Sequence, residues 1–302
     1  MAATAMPELH LRTASSADIP IILSLIRELA EYERKEVAAT EELSRASLGI
    51  GGSLITRPEI LTRALVKGGT EEQKQHWLPK LATAEVMPAV AVTEPDYGSD
   101  VAGIKVNATP APGPNGEDGW VINGVKTWCT FGARADALTL LARTDPDRSK
   151  THRGLSLFIA EKGPALRVRR IEDKLGIHGS PTCELQFNDA PAHLIGRRKR
   201  GLSSYVLALM NGARLAIAAQ GVGIAQAALE EALEYAADRE QFGRPIRQFP
   251  AVRQMLGDMH MKVETSRLLT YDTAVAVDMA ENIERLKKSG ELDSVPGGEE
   301  LA

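Results

Sequence analysis

Residues 91–100 of the sequence are AVTEPDYGSD, and they continue directly from the apolar run Ala89–Val92. A strand-like run therefore ends in a loop rich in acids, small hydroxyl residues and one glycine. Pro, Gly, Ser and Asp are common in ordinary surface turns, so a plain turn is one interpretation. The other is a loop whose backbone N–H groups and hydroxyls bind a ligand. The rest of the chain is needed to choose between them.

The composition is that of an ordinary globular protein, with 43% hydrophobic and 25% charged residues in 302. A chain of this length can bury a sizeable core in one large domain or a few smaller ones. The net charge of −4 gives no electrostatic case for nucleic acid as the main partner. The six histidines show no metal-ligand spacing, so no metal site is predicted.

Cysteine usage and hydropathy bear on the compartment. Cys129 and Cys183 are the only cysteines and form no CxxC motif, so we expect reduced thiols in a cytoplasmic protein. No apolar stretch approaches the roughly 18 to 20 residues of a membrane span. The N-terminus also lacks a basic region followed by an apolar one, so we expect neither a membrane span nor an export signal.

The spacing of apolar residues changes along the chain. Between residues 88 and 195, short β-branched runs recur about every ten residues, which predicts an antiparallel β-barrel or sandwich. Within it, Asn123-Gly124 predicts a type I′ hairpin in which Ile122 pairs with Val125. Helical spacing on both sides predicts flanking helices, with two long antiparallel helices near the C-terminus. The expected fold class is α+β, a central β domain between helical segments, with a short α/β piece at the N-terminus.

Five stretches, in this order, resemble the acyl-CoA dehydrogenases, flavoenzymes with a helical N-terminal domain, a central β domain and a helical C-terminal domain. The resemblance extends over residues 49–290 and implies FAD as cofactor and an acyl-CoA thioester as substrate. The reaction it implies is α,β-dehydrogenation. The stretches are AVTEPDYGSD (91–100), INGVKTWCT (122–130), KLGIHGSPTCELQF (174–187), NGARLAIAAQGVGIAQAAL (211–229) and DREQFGRPIRQFPAVRQML (238–256).

The resemblance implies a flavin site on two of these stretches. It places the indole of Trp128 against the isoalloxazine and the Thr130 hydroxyl near flavin N5. A core tryptophan beside a strand threonine is the alternative. A glycine-serine turn can offer the backbone and hydroxyl donors that a pyrophosphate needs. The residues implied to contact the flavin or its phosphates are Val92, Thr93, Gly98, Ser99, Trp128 and Thr130.

Further residues are implied to act across a subunit interface or on the substrate. Arg239 and Phe242 match the family's R-x-x-F-G and are implied to reach the FAD of a neighbouring subunit, hence a homo-oligomer. An arginine at a helix end, taken alone, is more often a partner of the helix dipole. The basic run 197–200 either attracts CoA phosphates or is a solvated loop. An electron-transfer flavoprotein-type acceptor is also implied. The residues implied to bind the CoA substrate are Ser99, Asn211 and Arg214.

The sequence departs from the family at the catalytic base. Removal of the α-proton requires a carboxylate within hydrogen-bonding range. The family carries this glutamate at one of two places, and at the first the sequence has Ala213. The second is a late loop with a Y-E-G pattern, which does not occur in these 302 residues. The catalytic residue is therefore unassigned, and a catalytically silent flavin- or CoA-binding fragment is the alternative function.

The N-terminal part suggests a third hypothesis. Residues 8–48 resemble the opening strand and helices of GNAT-type acetyltransferases. QGVGIA (220–225) fits the acetyl-CoA loop of that fold in sequence, but it lies inside an amphipathic helical run. The predicted regions are a GNAT-like fragment (1–48), a remnant of a helical N-terminal domain (49–87), a flavin-binding β domain (88–198), an incomplete helical C-terminal domain (199–290) and a flexible tail (291–302).

Overall fold

A computed structural model describes residues 33–54, 60–112 and 118–289. Its N-terminal helices are α1 (Glu33–Ala46), α2 (Leu48–Leu54), α3 (Ile60–Gly68) and α4 (Glu71–Ala82). The central strands are β1 (Pro88–Ala91), β2 (Asn107–Pro112), β3 (Asp118–Thr130), β4 (Ala137–Arg143), β5 (Leu155–Glu161), β6 (Leu166–Ile171) and β7 (Thr182–Ile195). The C-terminal elements are helix α5 (Leu207–Asp238), the hairpin β8 (Glu240–Gln241) and β9 (Arg244–Pro245), and helix α6 (Pro250–Ser289).

The central strands close into a barrel. β4, β5, β7, β3 and β2 pair in that order, and β2 returns to β4 through the pairing of Asn107 with Arg143. β1 pairs with residues 137–140 of β4 on the edge opposite β5, and β6 pairs with β7. This confirms the predicted α+β class with a central barrel between helices. The pairings of β1 and β2 with β4 are parallel, whereas the strand spacing predicted antiparallel pairing throughout.

The barrel and the helices share two apolar layers. Every residue of β4 is buried, because both of its faces are covered. Leu138 and Leu140 belong to the cluster inside the barrel with Phe158 of β5, whereas Leu141 clusters with Leu65 of α3 on the outside. Strands covered on both faces consist of nearly continuous apolar runs, which is the pattern of ALTLLAR.

The predicted hairpin at Asn123-Gly124 is wrong. β3 is continuous through both residues, and its register against β7 shifts between Ile122 and Gly124. Gly124 has φ +131°, which side chains rarely allow. The Asn123 amide donates to the Asp189 carboxylate (2.8 Å), and the Asp189 backbone N–H donates to Asn123 Oδ1 (2.9 Å). The pair therefore forms a β-bulge that bends a long barrel strand.

The two long helices are antiparallel, as predicted. Leu215 near the start of α5 clusters with Ala274 of α6. Farther along α5, the Gln226 amide oxygen accepts a hydrogen bond from Arg267 of α6 at 2.7 Å. Rising residue numbers on α5 therefore meet falling numbers on α6.

Helix α1 packs on both long helices. Its Glu41 carboxylate accepts a hydrogen bond from Arg267 Nε at 2.8 Å. A Cβ on Gly223 of α5 would lie 2.3 Å from the Glu41 carbonyl oxygen, so the two backbones touch. Of the predicted fragment 1–48 the structure describes only residues 33–48, and the predicted tail 291–302 lies outside the described residues.

The helical segment Gly201–Asp238 has the length and composition of a membrane span, which the sequence analysis did not predict. Of its most apolar window, 47% is buried inside the structure. A core helix of a globular protein satisfies the same criteria. Contacts with α1 and α6 account for part of this burial.

Candidate functional site

The loop after β1 folds back on itself. Glu94 and Tyr97 exchange backbone hydrogen bonds in both directions, at 2.9 and 3.1 Å. Beyond this turn, Gly98 is exposed and has no heavy atom within 4 Å of the position a Cβ would take. Ser99 is exposed as well. The turn therefore leaves the backbone and hydroxyl of residues 98–99 open to a ligand.

The Glu94 carboxylate of this loop is buried, and both of its oxygens accept hydrogen bonds. Glu94 is 5% exposed, and its Oε2 accepts a hydrogen bond from the Lys105 backbone N–H (2.6 Å). Its Oε1 accepts from the Val106 N–H (2.9 Å) and from Lys126 Nζ (2.9 Å). Three donors therefore occupy both oxygens of this carboxylate. Glu94 is therefore a structural residue and not a free base.

Lys126 of β3 is 0% exposed. Its ammonium also donates to the Val92 carbonyl oxygen at 2.7 Å. Burial lowers the pKa of Lys126 to about 8, and the neighbouring Glu94 charge opposes that shift. The sequence analysis assigned no role to this lysine, although it lies in the INGVKTWCT stretch. One signal in the sequence could have found it. A lysine lies inside a predicted strand of one family motif, and the preceding motif contains the acid Glu94.

The Trp128 segment lies directly against the loop. The Thr127 backbone N–H donates to the Thr93 carbonyl oxygen at 2.9 Å. Trp128 has φ +57° at a shift in the register of β3, and 57% of it is exposed. Cys129 is buried, and Thr130 is again partly exposed. Trp128 and Thr130 therefore share the outer side of β3, and the exposure of the indole argues against a core tryptophan.

Two of the three predicted substrate residues, Asn211 and Arg214, lie on the second turn of α5, whereas Ser99 lies in the loop after β1. Asn211 and Arg214 are both exposed, and Arg214 Nη1 donates to Asn211 Oδ1 at 2.9 Å. Ala213 lies between them and is half-buried. Gly212 packs against the guanidinium of Arg63 from α3, since a Cβ there would meet Arg63 Nη1 at 2.8 Å. The helical N-terminal segment thus contacts this turn.

Arg239 and Phe242 lie at the other end of α5. Arg239 follows Arg214 by 25 residues, which places it about 37 Å farther along the helix at a rise of 1.5 Å per residue. Phe242 is 93% exposed at the tip of the β8–β9 hairpin. Within one chain, these two residues are therefore remote from the Asn211–Arg214 turn. A role at the flavin of a neighbouring subunit stays a prediction.

The basic run 197–200 is partly bound within the chain. Lys199 Nζ contacts Asp145 Oδ2 at 2.6 Å, and Lys150 contacts the same carboxylate oxygen at 3.2 Å. The Lys199 hydrogen bond is the main reason why the pKa of Asp145 lies well below its usual range. Arg198 donates to the Thr144 carbonyl oxygen at 2.8 Å and lies over the Trp120 ring. These contacts favour a structural role for the run over attraction of CoA phosphates.

Neither cysteine has the properties of a nucleophile. Cys129 and Cys183 are free, buried and opposite each other on β3 and β7. Burial raises the pKa of the Cys129 thiol to about 12. Among the residues that the structure describes, no group of three or more His, Cys, Asp or Glu could hold a metal ion.

Three consecutive parts of the chain match one family. Residues 33–85 match the description "Acyl-CoA dehydrogenase, N-terminal domain", residues 89–190 the middle domain and residues 199–289 the C-terminal domain. The chain belongs to the acyl-CoA dehydrogenase family. The N-terminal match includes residues 33–48, which the sequence analysis assigned to a GNAT-like fragment. The acetyltransferase resemblance therefore has no support in this part of the chain.

Curated relatives agree with this assignment. The mitochondrial isovaleryl-CoA dehydrogenase of Solanum tuberosum is 40% identical over 247 residues, covering 80% of this chain and 57% of the relative. The (2S)-methylsuccinyl-CoA dehydrogenase of Cereibacter sphaeroides is 37% identical over 250 residues, covering 79% of this chain and 44% of the relative. The chain spans about half the length of these relatives.

Solved structures share the fold. Butyryl-CoA dehydrogenase from Megasphaera elsdenii has a TM-score of 0.75 at 34% identity, covering 81% of this chain and 63% of its own. A structure of the electron transferring flavoprotein of Acidaminococcus fermentans gives 0.75 at 36%, with coverages of 81% and 63%. PigA with FAD and proline gives 0.74 at 31%, with coverages of 82% and 64%. The family is one of flavoproteins.

Proposed function

We propose that the chain forms the flavin and substrate site of an FAD-dependent acyl-CoA dehydrogenase, which catalyses α,β-dehydrogenation of an acyl-CoA thioester. The observation that carries this is the 2.9 Å hydrogen bond from Thr127 to Thr93. It joins the loop with the open Gly98-Ser99 turn to the strand that exposes the Trp128 indole. A flat aromatic surface beside open backbone and hydroxyl donors fits a planar isoalloxazine with an attached pyrophosphate.

The residues fit FAD in a specific division of roles. FAD, when bound, would supply the acceptor for the hydride that leaves the substrate. The Trp128 indole packs against the ring system, and the Thr130 hydroxyl on the same side of β3 bonds to its edge. Val92 and Thr93 contribute backbone groups, and the Gly98-Ser99 turn holds the phosphates. The FAD complex of the similar PigA chain supports this cofactor.

Substrate binding uses the second turn of α5 together with Ser99. A guanidinium has five N–H donors, and the bond to Asn211 uses one from Arg214. The others suit the carbonyl and phosphate oxygens of CoA. The names of the relatives, isovaleryl-CoA and (2S)-methylsuccinyl-CoA dehydrogenase, support a CoA thioester as the substrate class.

We extend the proposal to partners and compartment. Arg239 and Phe242 reach the flavin of a neighbouring subunit in a homo-oligomer, and the 93% exposure of Phe242 supports this. An electron-transfer flavoprotein-type acceptor takes the electrons, which the similarity to the Acidaminococcus fermentans structure supports. The protein acts in the cytoplasm, as its buried free thiols favour.

The α-proton requires a base, and the described loop supplies none. Glu94 is held by Lys126 and two backbone amides, and Ala213 occupies the position on α5 where some family members carry glutamate by resemblance. This favours the alternative in which the 302-residue chain binds flavin and CoA with little turnover.

One experiment tests both functions. The 302-residue chain loaded with FAD is mixed anaerobically with a panel of acyl-CoAs, and bleaching of the flavin absorbance is followed. We expect slow bleaching by the unmodified chain. We expect Ala213→Glu to accelerate it by about 10²- to 10⁴-fold, the usual contribution of a general base.

The control is Ala218→Glu, which adds a carboxylate at an exposed position of the same helix and should leave bleaching slow. Rapid bleaching by the unmodified chain would show that another residue takes the proton. Failure of every variant to bind FAD would overturn the proposed function.

A further inference from the structure

The buried pair Lys126–Glu94 connects three segments around the candidate flavin site. Lys126 Nζ donates to the Val92 carbonyl at the end of β1 and to the Glu94 carboxylate in the loop, at 2.7 and 2.9 Å. Glu94 in turn accepts from the backbone N–H groups of Lys105 and Val106, which precede β2. One ammonium therefore joins β3 directly to the loop, and to the start of β2 through the carboxylate.

The two bonds of Lys126 lie on either side of Thr93. Val92 precedes Thr93 and Glu94 follows it, so the ammonium holds both neighbours of that residue. On the strand, Lys126 comes two residues before Trp128, and Thr127 between them bonds to the Thr93 carbonyl. Thr93 and Trp128 are therefore fixed relative to each other by three hydrogen bonds, two of which come from a single buried side chain.

Stability alone does not explain such a pair. Taking two charges out of water is costly, and apolar replacements of buried ion pairs often leave stability unchanged or higher. Lys126 is among the largest fully buried side chains that the described residues contain. An apolar side chain could not donate hydrogen bonds to the Val92 carbonyl and the Glu94 carboxylate, which lie on either side of Thr93.

We propose that Lys126 is a positioning residue that sets the separation of Thr93 and Trp128 and thereby the affinity of the site for FAD. Lys126 does not touch the cofactor; it acts through Val92, Glu94 and the strand that carries Trp128. The inference rests on the proposed function, in which Thr93 and Trp128 would both contact FAD.

The test compares Lys126→Met, which keeps the length and removes the charge, with the wild-type chain. In the ligand-free protein, we expect the Thr127 amide to exchange hydrogen at least about tenfold faster, normalised to the Phe158 amide in the barrel core. In the FAD titration, we expect the dissociation constant to rise about 10- to 100-fold, as when partners of ligating residues are removed from metal sites. The control is Lys105→Met, which breaks the exposed pair with Asp96 in the same loop and should change neither readout.

A double variant separates positioning from charge burial. Glu94→Gln added to Lys126→Met removes the unpaired buried charge, so the melting temperature should recover relative to Lys126→Met. FAD affinity and Thr127 protection should stay low, because nothing replaces the bond to the Val92 carbonyl. Recovery of FAD affinity together with the melting temperature would overturn the positioning role, as would unchanged Thr127 exchange in Lys126→Met. A wild-type chain that binds no FAD would overturn the proposed function, while the Thr127 exchange would still decide whether Lys126 holds the two segments together.

Discussion

At the scale of single residues, some features of the site were predictable from the sequence and others were not. The register shift at Trp128 was not predictable, but the exposure of Trp128 and in part of Thr130 on either side of buried Cys129 was. The bulge at Asn123-Gly124 was not. A type I′ turn and a bulge both need a glycine at positive φ, and the choice depends here on Asp189, 66 residues away. Local statistics cannot contain a contact of that separation.

Gly124 gives a test at the residue scale. Its φ of +131° is strained for any other residue, and a Cβ would meet Val106 Cγ2 at 2.8 Å. We expect Gly124→Ala to lower the free energy of unfolding by about 1–3 kcal/mol from backbone strain, with the contact in addition. Urea unfolding measures it.

The matched control is Gly221→Ala on α5, where a Cβ would have open space. There the substitution should stabilise the helix by up to about 1 kcal/mol. Equal stability of Gly124→Ala and wild type would contradict the bulge.

At the scale of elements, the apolar runs predicted where most strands lie, but they did not predict which strands pair with each other. The β-branched and apolar runs at 137–143 and 166–171 predict two strands, and β4 and β6 occupy these ranges. β2, with the sequence NATPAP, was missed, since its two prolines are typical of edges and loops and four of its six residues are exposed. The parallel pairing of β1 with β4 depends on tertiary packing, which no local sequence pattern predicts.

The connection after β7 gives a test at the scale of elements. Lys199 lies in this loop and forms an ion pair with Asp145, two residues after β4. The hydrogen bond from Lys199 holds the pKa of the Asp145 carboxyl low. A carboxyl with a lowered pKa in the folded state contributes stability that is fully present above its unfolded pKa, about 3.9, and is lost as the pH falls through the folded pKa. We expect Lys199→Met to lower the melting temperature above about pH 5, with the difference from wild type shrinking below about pH 4.

Melting curves across this pH range check the prediction. The control is Lys74→Met, which breaks an exposed pair with Glu71 on α4 and should have little effect at any pH. A difference between Lys199→Met and wild type that persists unchanged at pH 2 would show that the contact with Asp145 is not its cause.

At the scale of the whole molecule, the order of motifs predicted the family and the α+β layout, because the motifs lie on successive parts of the fold, from the loop after β1 to the start of α6. The sequence did not show that α1 belongs with the C-terminal helices, since that contact joins Glu41 to Arg267 across the chain. Large exposed apolar side chains of α5 and α6 agree with the proposed oligomer. They include Ile217, Ile224, Leu268, Leu269 and Met279.

The central claim is that the Trp128 indole and the loop after β1 together bind a flavin. Titration of the chain with FAD, followed by tryptophan fluorescence, tests it most directly. Trp77 and Trp120 supply a background signal, so the variants Trp128→Phe and Trp128→Ala are titrated in parallel. The phenylalanine keeps a ring for the flavin to stack on, whereas the alanine removes it.

We predict that FAD quenches the wild-type fluorescence and that this component disappears in both variants. We also predict that Trp128→Phe keeps most of the affinity. Trp128→Ala should raise the dissociation constant about 5- to 150-fold, because stacking on an aromatic side chain is worth roughly 1–3 kcal/mol. FAD binding to Trp128→Ala with wild-type affinity, or a wild-type chain that binds no FAD, would contradict the account.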